Sequence, residues 1–282
     1  MARRSDTGSV ARLVAILMIA LGACPAHCAW PSAYAGHGAS AFTPIAAYHG
    51  RLVWSRPDGA GRFELVERVG SGPVTRLPVA ARGAPFDVDL GPTSSGRVFA
   101  VYSRCATEPA PPAGLDPEGV HYEAGRGCDI YRLDLANGKE TRYTKVNADD
   151  ASEFWPTYWK GRVGFARAYD AKPRSPYVYL KDIESSQPSE RLPGGPRGTP
   201  ATRSAPAQLE LYGSHLGYEW RYASREGTGT AFELRVDTAG GDHVRLDRRV
   251  VGLTAIVIGW PAFENGRAYS SRGCFGDPGG CR

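Results

Sequence analysis

Gly50-Arg51-Leu52-Val53-Trp54-Ser55-Arg56 opens a unit that recurs along the chain as Gly96-Arg97-Val98-Phe99-Ala100-Val101-Tyr102-Ser103-Arg104 and Gly161-Arg162-Val163-Gly164-Phe165-Ala166-Arg167. Weaker copies stand at Ser214-His215-Leu216-Gly217-Tyr218-Glu219-Trp220 and Gly266-Arg267-Ala268-Tyr269-Ser270-Ser271-Arg272. The Gly-Arg intervals are 46, 65, 53 and 52 residues, from 96−50, 161−96, 214−161 and 266−214. Self-similarity on this scale points to stacked supersecondary units rather than to one irregular core.

Around each copy lie further strand-like segments. Ahead of it comes a short apolar run: Pro44 to Tyr48, Phe86 to Leu90, Phe154 to Trp159, Gln208 to Tyr212 and Ile256 to Trp260. Behind it come pairs of alternating segments, such as Asp129-Ile130-Tyr131-Arg132-Leu133-Asp134 leading to Glu140-Thr141-Arg142-Tyr143-Thr144. Alternation with period two is the mark of half-buried strands. Asn137-Gly138 and Gly240-Gly241 supply turn residues that tolerate positive φ. Four strands per unit of 40 to 50 residues is the pattern of a β-propeller blade.

The expected fold is therefore an all-β propeller of about five four-stranded blades, with units at 42–80, 86–146, 154–194, 206–248 and 254–282. The last unit is unfinished, so the array is either closed by a strand from the other terminus or left open and truncated. The segment Cys128-Asp129-Ile130-Tyr131-Arg132-Leu133-Asp134-Leu135-Ala136-Asn137-Gly138-Lys139-Glu140-Thr141-Arg142-Tyr143-Thr144 resembles the blades of the TolB-like and WD-repeat-type propellers of bacterial envelopes. At blade level the resemblance extends over residues 42 to 272. It implies an envelope propeller, but the family's Ser-Pro-Asp-Gly turn survives only as Arg56-Pro57-Asp58-Gly59, displaced after the strand, and there is no room for the N-terminal α/β domain of TolB. TolB's partner binding is therefore not carried over.

Composition agrees with an ordinary β-protein: 42% hydrophobic, 22% charged, with 35 glycines and 22 prolines as turn punctuation. The formal charge of +5 falls to +3 once Arg3, Arg4, Arg12 and Asp6 are set aside, leaving 31 basic (34−3) and 28 acidic (29−1) residues. That excess is small and scattered, which argues against a nucleic-acid partner. The arginines Arg3, Arg4 and Arg12, the nine apolar residues Leu13 to Leu21 and the small residues after them read as a secretory signal peptide over 1–29, followed by a flexible segment at 30–41. Nine residues are too few to span a bilayer core, which takes about 20 in a helix. Leu21-Gly22-Ala23-Cys24 also resembles a lipoprotein box, with lipidation at Cys24 as its consequence.

In an exported chain the remaining cysteines read as two loop-closing disulfides, Cys105 with Cys128 and Cys274 with Cys281. Metal binding is the competing reading, but neither pair has Cys-x-x-Cys spacing or neighbouring histidines. His37, His49, His121, His215 and His243 are dispersed, and Asp149-Asp150-Ala151-Ser152-Glu153 lacks the spacing of a calcium loop and reads as an exposed turn. Gly213-Ser214-His215-Leu216-Gly217 is not a nucleophile elbow. No catalytic, cofactor or metal residues are assigned. Aromatics near strand ends are the candidates for ligand contact, with Trp155, Trp159, Tyr169 and Trp220 foremost.

The functional expectation is a monomeric, exported, non-catalytic propeller that binds an envelope protein or a glycan. Its rival is a propeller enzyme such as a glycan lyase or hydrolase. Convergence of two or more of Asp, Glu, His and Tyr on the central channel is the arrangement that the rival requires.

Overall fold

The computed structural model describes residues 45–108, 125–172, 176–193, 204–223, 230–238, 243–251, 255–264 and 267–275. The leader, the 30–41 segment, Cys24 and Cys281 lie outside them, and with Cys281 the Cys274 pairing.

Among the described residues, eighteen strands form five antiparallel sheets. The first sheet is β1 (Ile45–Tyr48), β2 (Arg51–Pro57), β3 (Phe63–Val69) and β4 (Thr75–Arg76). The second is β5 (Asp89–Pro92), β6 (Val98–Thr107), β7 (Arg126–Asp134) and β8 (Lys139–Arg142). The third is β9 (Ala151–Trp159), β10 (Arg162–Tyr169), β11 (Tyr177–Asp182) and β12 (Glu190–Arg191). The fourth is β13 (Ser204–Tyr212), β14 (His215–Ala223), β15 (Thr230–Thr238) and β16 (His243–Val251). Each is a simple up-and-down meander in chain order. The fifth holds only β17 (Ala255–Glu264) and β18 (Arg267–Phe275).

These four-stranded sheets are propeller blades, and they correct the expected number. Among the described residues there are four complete blades and one two-stranded ribbon, not five blades. The fifth Gly-Arg copy keeps its hairpin, but no third or fourth strand comes after it among those residues.

The Gly-Arg signature has a conformational cause. Gly50, Gly96 and Gly161 take φ of 75°, 83° and 85°, which a side chain would strain, so glycine turns the first strand of each blade into the second. The arginine next in sequence is structural in the first two blades: Arg51 pairs with Glu67 of β3 and Arg97 with Asp134 of β7.

Packing explains the period-two pattern. On β6, Ala100 and Tyr102 enter a core shared with the first blade, while Phe99 and Val101 enter one shared with the third. On β11, Tyr179 faces the second blade and Val178 and Leu180 the fourth. A sheet sandwiched between two others must be apolar on both faces, and alternate residues supply the two. Full burial of Tyr102, Phe165 and Leu216 fits side chains interlocked between sheets.

The Cys105–Cys128 disulfide joins directly opposed residues of β6 and β7, across a 23-residue separation. Among the described residues no helix is long and apolar enough to cross a membrane.

Candidate functional site

The first strand of each sheet packs against the first strand of the next: β1 on β5, β5 on β9, β9 on β13 and β13 on β17. These strands lie about one axis, and their free edges expose backbone N–H groups that need partners. Side chains of the preceding blade supply several. Ser55 Oγ accepts from Phe86 N at 2.6 Å, and Asp87 Oδ2 accepts from Trp155 N at 2.8 Å. Asp89 Oδ2 accepts from Tyr158 N at 3.1 Å and from Thr157 Oγ1 at 2.7 Å. Thr157 Oγ1 in turn accepts from Leu211 N at 2.8 Å. One relay of hydrogen bonds thus crosses the axial strands of the second, third and fourth blades.

Bulges shape the same strands. β9 breaks register opposite Gly164 to Ala166, and β13 between Ala207 and Glu210. Trp155 and Gln208, at matching places in these bulges, have positive φ of 52° and 53°. An extra residue re-aims the side chains beyond it.

Beyond these bulges the strands end in an aromatic cluster. Tyr48, Trp159 and Tyr212 are the last residues of β1, β9 and β13, each just ahead of its blade's first turn. Their rings meet on the axis: Trp159 and Tyr212 centroids lie 4.3 Å apart, and Tyr48 meets Trp159 edge-on at 6.0 Å. His49 lies against Tyr48 at 4.4 Å, and the exposed Lys160 ammonium stands 5.8 Å from the Trp159 ring. All three cluster rings are half-buried. Burial, with the charge of Tyr212 second, raises the Tyr48 hydroxyl above its ordinary value.

One pleat below, about 7 Å along the strands, stand two carboxyl groups. Glu210 precedes Tyr212 by two residues, and Asp89 is bonded to Thr157, two before Trp159. Burial raises Asp89 to about 6 against the opposing pull of its hydrogen bonds from Thr157, Leu90 and Tyr158. Glu210 is pushed well above the ordinary glutamate value, by burial first and by the charge of Asp89 second. Like charges in a poorly solvated place cannot both ionise cheaply, so the pair tends to hold a proton.

Four buried glutamates elsewhere in the fold have arginine counter-ions, and buried Asp237 has His243 and Tyr218 as its partners. Glu153 pairs with Arg167 at 2.6 Å, Glu233 with Arg235 at 2.6 Å, Glu64 with Arg56 at 2.8 Å, and Glu219 with Arg221. Ala151, Ser152 and Glu153 are buried at the start of β9, which corrects the expectation of an exposed turn over 149–153; only Asp149 and Asp150 are exposed in the turn. Among the described residues, no Lys or Arg faces Asp89 or Glu210 closely enough to shift either group.

Of the four aromatics singled out by sequence, only Trp159 joins the cluster. Trp155 is half-buried in the β9 bulge against the core beside it. Tyr169 ends β10, seven residues or about 23 Å along the strand from the Arg162 end, and packs its ring beside Arg167. Trp220 is a core residue, 2% exposed, edge-on to Tyr218 and under the Arg235 guanidinium. Tyr48, Tyr212, Asp89, Glu210 and Thr157 were not singled out by sequence. Aligning the repeats on their turns would have found the rings, since Tyr48, Trp159 and Tyr212 occupy one repeat position. Among the described residues no group of three or more metal-type ligands is found.

The fold and the axial site define a β-propeller of four-stranded blades with an aromatic end to its axis. The chain is similar to TolB from Acinetobacter baumannii, at 12% identity and a TM-score of 0.44, covering 82% of this chain and 51% of that one. It is similar also to the polysaccharide lyase Uly1, at 11% identity and a TM-score of 0.42, covering 85% and 56%, and to a prolyl endopeptidase, at 12% identity and 0.29, covering 81% and 45%. The chain spans about half the length of these structures. No protein-family model and no curated protein matches the sequence.

Proposed function

We propose that this chain is an exported envelope propeller that binds a glycan at the aromatic end of its axis, and that it does so as a monomer and without cleaving the glycan. The observation that carries this reading is the convergence of Tyr48, Trp159 and Tyr212 from three different blades into one half-buried cluster. Rings held this way present flat apolar faces against which sugar rings stack, with hydroxyl and indole groups left for hydrogen bonds. Half-burial matters, because fully buried rings such as Trp220 serve packing alone. Export is supported by the leader pattern Arg3 to Ala29 and by the Cys105–Cys128 disulfide, since such bonds persist outside the reducing cytosol. Lipidation at Cys24 would tether the same propeller to a membrane; intact mass of the mature protein tests it, a diacylglyceryl mass being the expected sign.

The test is a glycan array probed with the mature protein, alongside Trp159→Ala and Tyr212→Ala. Binding by the parent and loss of at least tenfold in both variants, with unchanged circular dichroism, is the expected result. Equal binding by parent and variants refutes the site, and a blank array refutes the glycan.

The second reading is a propeller glycan lyase or hydrolase. Asp89 and Glu210 favour it, because two carboxyl groups beside tyrosines are the residue types that acid–base cleavage uses. Mass spectrometry of oligosaccharides after incubation separates the two readings: new shorter products support the enzyme, and intact ligand supports the binder.

A further inference from the structure

We propose that the ligand at this site carries a free ammonium group beside its sugar ring, as a de-N-acetylated amino sugar does, and that Asp89 and Glu210 supply its counter-charge. The inference rests on the glycan reading above and names the class of glycan. Two observations of different kinds carry it. The first is a contrast within the fold: Glu64, Glu153, Glu219 and Glu233 each have an arginine of their own, whereas Asp89 and Glu210, brought together by the Asp89–Thr157–Leu211 hydrogen bonds, have no Lys or Arg acting on either among the described residues. Paired acids in a poorly solvated place without a cation are costly, and a ligand cation relieves that cost.

The second is the aromatic cluster directly above. Trp159, Tyr212 and Tyr48 offer ring faces and edges within one pleat of the acids, and a cation over a ring face is attracted by its quadrupole. Lys160, with its ammonium 5.8 Å from the Trp159 ring, already shows this ring accepting a cation. Acid below and aromatic rings around is the arrangement that recognises an organic ammonium. It also disfavours polyanions: a uronate carboxylate at the same depth would meet Asp89 and Glu210 with like charge.

Isothermal titration of the mature, disulfide-intact protein at pH 6.5 and low salt tests this with three probes: a glucosamine hexamer, an N-acetylglucosamine hexamer and an oligouronate. The expected result is glucosamine bound at least tenfold more tightly than its acetylated counterpart, with no uronate binding. In Glu210→Gln and Asp89→Asn, each checked for a cooperative melt, that ratio falls close to one. A ratio near one in the parent protein, or one unchanged in both variants, overturns the ammonium assignment while leaving the glycan site standing. Silence from all three probes overturns both. Trilysine binding as tightly as the glucosamine hexamer overturns the sugar class.

Discussion

Replacing Asp89 by asparagine isolates the electrostatic load on the propeller axis. Burial holds the Asp89 carboxyl at about 6 in the folded chain, against an ordinary 3.8. A folded-state value above the unfolded one means that the native protein binds the proton more tightly. The stability this gives is complete below about pH 4 and is lost as pH rises through 6. A displacement from 3.8 to about 6 corresponds to about 3 kcal/mol at 1.36 kcal/mol per pH decade. Asparagine imitates the protonated acid at every pH, and its carbonyl can accept from the Thr157 hydroxyl and the Tyr158 amide as the carboxyl does. Asp89→Asn therefore matches the parent at pH 4 and exceeds it at pH 8 by about 3 kcal/mol, or about 6–12 °C in Tm for a domain of this size. Removing the negative charge also eases ionisation of Glu210, which adds in the same direction. Thermal melts followed by circular dichroism at pH 4, 6 and 8, under non-reducing conditions, give the comparison. Parallel Tm curves for variant and parent across that range refute the reasoning, since they would mean that Asp89 ionises in the folded protein as easily as in water.

The same architecture carries three further outcomes. Thr157→Val removes the hydroxyl that donates to Asp89 and accepts from Leu211 N, leaving a buried amide unsatisfied; equilibrium urea unfolding is expected to show a loss of about 1–3 kcal/mol. At Gly91, a Cβ would stand 1.8 Å from the Tyr158 carbonyl oxygen, so Gly91→Ala must force β5 from β9; a loss of about 3 kcal/mol or failure to fold, read by circular dichroism, is the expected result. Replacing Cys105 and Cys128 by serine together releases a closure of 23 residues and lowers stability by about 3 kcal/mol, while thiol titration of the unreduced parent finds neither cysteine free.

The blades were legible in the sequence because blade formation is local. Alternation along β7 and β11, the positive-φ glycines at 50, 96 and 161, and the short hairpin links are properties of contiguous residues. Blade number was less legible. The fifth copy, Gly266 to Arg272, repeats the hairpin signature, and a signature of two strands says nothing of whether a third and fourth come after them. Aromatic residues were misread more readily than turns. Tyr169 and Trp220 stand in strands much as Trp159 does, and whether a ring faces a neighbouring sheet or the axis depends on blades far away in sequence.

What the sequence determined by itself was the class of fold and the pairing of Cys105 with Cys128, because each arises from spacing within one unit. Only the tertiary structure decided the site. Asp89 lies 68 residues from Thr157, and Thr157 lies 54 from Leu211, yet one hydroxyl joins all three. Residues that share an axis but not a strand leave no periodic trace, and a carboxyl becomes a strong proton holder only when folding removes both its water and its counter-ion.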